Sequence, residues 1–240
     1  MRMTDIGASF YEQCAQVISA AEEAELSVTQ MQTTPRGRLR MTAPMSFGQR
    51  FVTEAVNDYL TYYPDVTVDL DLADRTANLV EEGYDLAIRI GRLTDSTMIA
   101  RRLCDARAVV VGSPSYFAAR SVPRTPADLG AHECLMYSYA ADGDAWRFDG
   151  PDGPLSVRVR GRLRVNNGDA LATAAIDGLG LAMLPDFIVA DDIRNGRLVR
   201  ALEDMCPSLG GVYAVYPENR HLSAKVRVFV EQLEATFSSR

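Results

Sequence analysis

The sequence predicts an α/β protein of two similar lobes behind one long helix. Three observations predict it. Stretches of period-two and period-3.6 hydrophobicity alternate from Leu39 onward, the same strand, turn, helix and strand order restarts at Val157, and no proline interrupts the chain between Thr4 and Gln32.

The first element is the helix. Thr4 offers an N-cap hydroxyl and Asp5 an acid in the first turn, and Pro35 with Gly37 ends it. Met3, Phe10, Cys14, Val17, Ala21, Ala24, Val28 and Met31 recur at alternating steps of three and four, with Gly7 as the weak position. That is a heptad seam. At ~1.5 Å per residue the helix would be ~45 Å long, too long to bury its seam on a small domain of its own. We favour a dimer linker over a helix packed along its own lobe, because Ala21 and Ala24 suit close helix pairing.

The elements of the first lobe follow in order. Leu39–Thr42 reads as a strand, and Pro44-Met45-Ser46-Phe47-Gly48 as a loop. A helix to Tyr62 carries Phe51, Ala55, Val56, Tyr59 and Leu60 on one face. Val66, Val68, Leu70 and Leu72 alternate as a second strand, Thr76 to Glu82 reads as a short helix, and Tyr84–Ile90 as a third strand. In the second half Val157–Val165 is a strand, Asn166-Asn167-Gly168-Asp169 a turn, Ala170–Asp177 a helix and Leu181–Leu184 a strand. Leu39-Arg40-Met41 matches Leu163-Arg164-Val165 as a weak internal repeat. His221–Phe237 reads as a closing helix that returns to the first lobe, with crossings near Val110–Ser113 and Val212–Val215.

Open α/β sheets bind ligands beyond the carboxyl ends of their strands. Ser46 and Asn167 both sit where a strand gives way to a helix, so two such corners facing each other would line a cleft. Each residue has a second reading, Ser46 as an N-cap and Asn166-Asn167-Gly168 as an ordinary turn.

Composition narrows the function. Of 240 residues, 47% are hydrophobic and 24% charged, with a net charge of -7, so the chain offers no basic face for nucleic acid. No apolar run approaches the ~20 residues of a membrane span, and the first residues lack the apolar core of a secretory leader, so a cytoplasmic protein is expected. Cys14, Cys104, Cys134 and Cys206 are scattered, as reduced thiols are. His132-Glu133-Cys134 is too small for a metal site, no phosphate loop or nucleophile elbow occurs, and Gly178-Leu179-Gly180 is not a dinucleotide fingerprint. We therefore expect no enzyme, no metal and no cofactor. A solute-binding protein would share the two-lobed plan but needs export. An enzyme on that scaffold needs a catalytic cluster.

Six strings, in order, resemble the LysR-type transcriptional regulators along the whole chain: Gly37-Arg38-Leu39-Arg40 with Ala43-Pro44-Met45-Ser46-Phe47-Gly48; Tyr63-Pro64-Asp65-Val66; Glu81-Glu82-Gly83-Tyr84-Asp85-Leu86-Ala87-Ile88-Arg89-Ile90-Gly91; Ser113-Pro114-Ser115-Tyr116; Thr125-Pro126-Ala127-Asp128-Leu129; and Gly178-Leu179-Gly180-Leu181-Ala182-Met183-Leu184-Pro185. The resemblance implies two Rossmann-like lobes of type II periplasmic-binding-protein topology behind a dimerisation helix. It divides the chain into a linker (1–37), lobe I (38–112 and 213–240) and lobe II (113–212).

It also implies a homodimer or homotetramer that responds to a small-molecule effector. DNA would be met only through an N-terminal winged helix-turn-helix, which the chain is expected to lack because Thr4-Asp5-Ile6-Gly7 already resembles the linker helix. Carried across by motif, the effector site would draw on Ser46, Phe47, Gly48, Asp74, Arg89, Ile90 and Gly91 in lobe I, on Gly112 and Ser113 at the hinge, and on Tyr137, Asn166, Asn167 and Met183 in lobe II. A cleft-facing Arg89 would favour a carboxylate. The other reading of Arg89 is a structural ion pair.

Overall fold

β1 (Gly37–Ala43) is central to the first lobe: Leu39, Met41, Thr42 and Ala43 are all buried. In the computed structural model, which describes residues 13–19, 34–91, 98–140, 142–218 and 222–238, β1 runs parallel to β2 (Val66–Leu72) on one side and to β3 (Leu86–Gly91) on the other. β11 (Ser208–Pro217) joins β3 antiparallel, and β4 (Met98–Gly112) joins β11 antiparallel.

Helix α1 opens at Met45–Phe47, widens into a π turn over Gly48–Val52 and continues over Thr53–Tyr62. Its start lies close on the sheet: a Cβ at Gly48 would come within 2.3 Å of the Leu72 side chain and 3.2 Å of the Ala43 Cβ. Ala55, Val56 and Tyr59 face the sheet, as their helical spacing requires. The last helix (Ala224–Ser238) packs beside α1 through Val226, Phe229, Val230 and Leu233, and the Tyr59 hydroxyl donates to the Lys225 carbonyl at 2.8 Å.

In the second lobe β5 (Cys134–Tyr137) lies parallel to β8 (Arg164–Val165) and β9 (Leu181–Pro185). β9 runs antiparallel to the second half of β4, which also pairs with β10 (Val199–Ala201). α2 (Pro114–Ala119) follows β4. Two further helices, α3 (Gly168–Ile176) and α4 (Asp186–Arg194), complete the lobe with α5, our label for the closing helix already given, returning to the first. The hairpin of β6 (Ala145–Gly150) and β7 (Gly153–Arg158) lays Trp146 and Phe148 into a cluster with Leu181.

Each lobe thus has three parallel strands, one antiparallel strand and a last strand beyond it: β2-β1-β3-β11-β4 in the first and β8-β5-β9-β4-β10 in the second. This plan registers the repeat differently from the string comparison. β5, not β8, takes the place of β1, and the β6–β7 hairpin stands where the first lobe has α1.

The core changes along β4. Leu103 and Ala106 pack in the first core and Val109 and Val111 in the second. Ser208 pairs with Arg107, and the Ala108 N–H donates to the Pro207 carbonyl at 3.1 Å. Strand pairing and packing thus change partners at Arg107–Ala108 and at Pro207–Ser208.

Two elements differ from expectation. Residues 76–82 form turns, not a helix, because Glu82 folds back to pair with Arg75 at 2.5 Å and to accept the Asn78 N–H at 2.9 Å. The strand expected over Val157–Val165 breaks after Arg158, and at Gly161 the chain passes so close to the Cys134 carbonyl that a Cβ would sit 1.9 Å from it.

Residues 13–19 are helical, which places Cys14 and Val17 of the expected seam on a helix, with Val17 68% exposed. Met3, Phe10, Ala21, Ala24, Val28 and Met31 lie outside the described residues. None of the four cysteines is in a disulfide. Among the described residues no helix is long and apolar enough to cross a membrane.

Candidate functional site

Where β1 meets α1, Pro44 sets the turn with φ -57° and ψ 137°, and no side chain of the corner itself caps the helix. The free Met45 N–H is satisfied from a distance: Asp74, just past the end of β2, accepts it at 2.8 Å. Ser46 is therefore not a cap. It lies buried in the first turn, and its hydroxyl donates to Asp169 Oδ2 in the second lobe at 2.5 Å. Arg50, one turn on and on the same helix face, donates to Asp169 Oδ1 at 2.6 Å and to the Ser46 carbonyl at 3.2 Å.

The strand-to-helix corner that the second lobe brings to this place is the one between β8 and α3. Here Asn167 is the cap, with its side-chain oxygen accepting the Ala170 N–H at 2.9 Å. Its Nδ2 lies 3.3 Å from Met45 Sδ across the seam. Asp169 projects from the first turn of α3. Partial burial alone would raise its pKa, but the hydrogen bonds from Arg50 and Ser46 and the Arg50 charge outweigh burial and hold the carboxyl below its ordinary value. Tyr137, at the end of β5, hydrogen-bonds Asp74, and burial first, then the Asp74 charge and this bond, push its hydroxyl well above the usual tyrosine range.

The corners expected to face one another do meet. Ser46 and Asp74 of lobe I stand opposite Tyr137 and Asn167 of lobe II, and the two lobes touch directly there. The other expected residues make the following contacts. The Phe47 ring is core, packed on Phe51, Phe237 and, from the second lobe, Phe187 at centroid distances of 4.9, 5.4 and 5.3 Å. Gly48 is a close-packing glycine. Arg89 donates to the Ala77 carbonyl at 2.5 Å, and burial, opposed by the nearby Glu82 charge, lowers its pKa. This bond ties β3 to the segment that precedes it.

Ile90 and Gly91 pair with Val212 and Gly211 at the end of β3. Gly112 abuts Leu181 and Phe117, and Ser113 caps α2 by accepting the Tyr116 N–H at 3.2 Å. Both lie beyond the point where β4 changes lobe. Asn166 is exposed. Met183 packs with the cluster of Val110 and Trp146.

Sequence reading missed Arg50, Asp169 and Phe187. Arg50 was recoverable as the cation four residues after Ser46 on one helix face, and Asp169 as the acid just inside the turn already singled out. Nothing local marks Phe187 as a bridging ring.

The seam gathers a hydroxyl (Ser46), a guanidinium (Arg50), an amide (Asn167), a phenol (Tyr137) and two carboxylates (Asp74 and Asp169). Among the described residues no group of three or more His, Cys, Asp or Glu side chains is placed to hold a metal ion. His132 instead fills a buried position 3.2 Å from the Tyr116 hydroxyl.

Residues 32–238 match the LysR substrate binding domain. The HTH-type transcriptional regulator PtxR of Pseudomonas aeruginosa is 34% identical over 233 residues, covering 97% of this chain and 75% of that protein. The HTH-type transcriptional regulator PgrR of Escherichia coli is 30% identical over 234 residues, covering 96% and 78%. Among solved structures, the regulatory domain of CrgA, a LysR-type transcriptional regulator from Neisseria meningitidis, is similar at 26% identity and a TM-score of 0.74, over 85% of this chain and 100% of that one. The full-length virulence activator AphB of Vibrio cholerae shares the fold, with a TM-score of 0.77 at 24% identity over 98% and 81%. Such regulatory domains have the two-lobed, periplasmic-binding-protein-like fold described above. The chain belongs to the LysR-type transcriptional regulators and carries their effector-binding domain.

Proposed function

We propose that this domain senses a small organic acid at the seam between its lobes and, by changing how the lobes sit, changes how paired subunits are held. The observation that carries the reading is that Ser46 and Arg50 together grip a carboxylate, one oxygen each, at 2.5 and 2.6 Å. That donor pair suits the carboxylate of an effector. Asp74, Tyr137 and Asn167 would orient the remainder of the molecule, with the apolar end of α4 behind it. The chain acts as a binding module without catalysis, in the cytoplasm, as a homodimer or homotetramer joined through its N-terminal helix. DNA is reached through a helix-turn-helix module of the kind named in its relatives.

The mechanism is a population shift: the effector binds one lobe arrangement better than the other, and that difference drives the change. A thermal-shift screen of aliphatic and aromatic acids identifies the effector class, and calorimetry follows on Arg50→Ala. Loss of a charge-assisted bond of ~1.5–3 kcal/mol predicts roughly ten- to hundredfold weaker carboxylate binding. Equal affinity in Arg50→Ala and wild type would place the effector elsewhere.

A further inference from the structure

The carboxylate held by Ser46 and Arg50 belongs to the protein itself. We propose that Asp169 is a built-in competitor for the anion-binding corner, one that links the lobes when no effector is present and that an effector carboxylate must displace. This rests on the organic-acid reading above and adds the regulation of that site.

Four observations carry it. Asp169 engages the corner as a free carboxylate would, with one oxygen on the Ser46 hydroxyl and the other on the Arg50 guanidinium. It comes from the other lobe, 123 and 119 residues along the chain from its two partners, so its bonding state reports how the lobes are arranged. By contrast, pairs such as Arg75–Glu82 and Lys225–Asp85 stay within lobe I. The Arg50 and Asp169 side chains are 33% and 35% exposed, so a solute reaches them and the pair is weak enough to exchange. Finally, α3 does not depend on the bond: its cap is Asn167, and a released Asp169 still stands in the first turn of α3, where the helix dipole favours a negative charge.

A competitor of this kind multiplies the intrinsic affinity by the fraction of molecules whose corner is free, and so lowers it. Removing its charge raises the apparent affinity for a carboxylate. The corner is then selective in a second sense, because a neutral analogue that cannot engage Arg50 has no means of expelling Asp169. Displacement also moves the contact that spans the lobes, which ties occupancy to lobe arrangement without any further device.

The test is calorimetry with benzoate and succinate as probe carboxylates on the 240-residue chain, wild type against Asp169→Asn, Asp186→Asn and Arg50→Ala. Asp186 supplies the charge control. It lies in lobe II at the start of α4 and bonds the Phe187 N–H instead of Ser46 or Arg50. We expect about three- to tenfold tighter binding in Asp169→Asn, for loss of a partly exposed ion pair, little change in Asp186→Asn, and binding weakened roughly ten- to hundredfold in Arg50→Ala, which for these probes reads as lost. Binding seen in Asp169→Asn alone supports the proposal equally. Unchanged or weaker binding in Asp169→Asn, with binding still lost in Arg50→Ala, overturns the competitor and leaves the carboxylate site standing. Equal tightening in Asp186→Asn overturns it as a general charge effect. Arg50→Ala that binds like wild type, or no binding by any variant at saturating probe, overturns the organic-acid site and the competitor together.

Discussion

Ser46 and Asn167 occupy the same kind of place, a strand-to-helix corner, yet only one of them caps a helix. Pro44 starts α1 without a capping side chain, and Asp74 takes the Met45 N–H from across the strand ends. Ser46 is left free to donate across the seam. Asn167 spends its oxygen on its own helix and has only its amide nitrogen for the other lobe. The two substitutions therefore separate. Asn167→Ala costs about 0.5–2 kcal/mol of stability as a lost cap and speeds hydrogen exchange in the first turn of α3. Ser46→Ala costs about 1.5–3 kcal/mol, the worth of one hydrogen bond to a charged group, and leaves exchange in the first turn of α1 as it was, because the Asp74 bond persists. Denaturation curves give the first quantity and exchange mass spectrometry the second. Faster exchange at Met45–Gly48 in Ser46→Ala would restore the capping role that the geometry denies it.

The elements show how far the sequence could be read. Strand and helix periodicity located β1, β2, β3, α1 and α3, and the corners at Ser46 and Asn167 were found because a strand ends and a helix begins there. The same alternation outlined the first lobe but only α3 and β9 of the second, where β5, the β6–β7 hairpin and α4 went unread. What stayed hidden depends on contacts between residues far apart in the chain. Arg89 reads either as a cleft cation or as a structural ion-pair partner, and its bond to the Ala77 carbonyl is invisible in the sequence, while the 76–82 stretch reads as a helix until Glu82 ties it into turns. Phe187 is the clearest case. It begins α4 in the second lobe, yet it packs against both cores and stands edge-on to Phe47 and Phe51 at centroid distances of 5.3 and 6.0 Å. A single ring thus fixes where α4 rests on α1, beside the polar seam. Phe187→Ala removes that ring from a partly buried site, for which about 2–3 kcal/mol is expected, with the lobes less tightly coupled. Chemical denaturation followed by tryptophan fluorescence, which reports the second lobe through Trp146, and by far-ultraviolet dichroism, which reports both, would show the two transitions drawing apart. Coincident transitions with unchanged stability would mean that the seam alone holds the lobes together.

For the whole molecule, the lobes are joined by two chain crossings, by the Phe187 ring and by a seam of individually weak polar contacts, an arrangement in which a small ligand could tip the balance. An effect on transcription then needs a second rigid connection, from lobe to partner subunit, and the N-terminal helix is our candidate for it. Its described turns put Val17 and Ile18 at 68% and 59% exposure. Adjacent exposed aliphatics on a helix are what an unpaired coiled-coil face presents, and Val17 is a seam position in the heptad reading. In a two-fold pair, Val17→Asp would place two like charges in the closed seam. Each costs several kcal/mol to desolvate without a partner, so association through this helix should weaken by at least about tenfold, a change of only ~1.4 kcal/mol. The lobes, whose cores Val17 does not enter, should keep their stability and their probe-carboxylate affinity. Multi-angle light scattering over a concentration series would show the wild type holding its assembled mass where the variant falls to the monomer. An unchanged mass would remove the helix as the assembly surface and leave contacts between lobes to do that work.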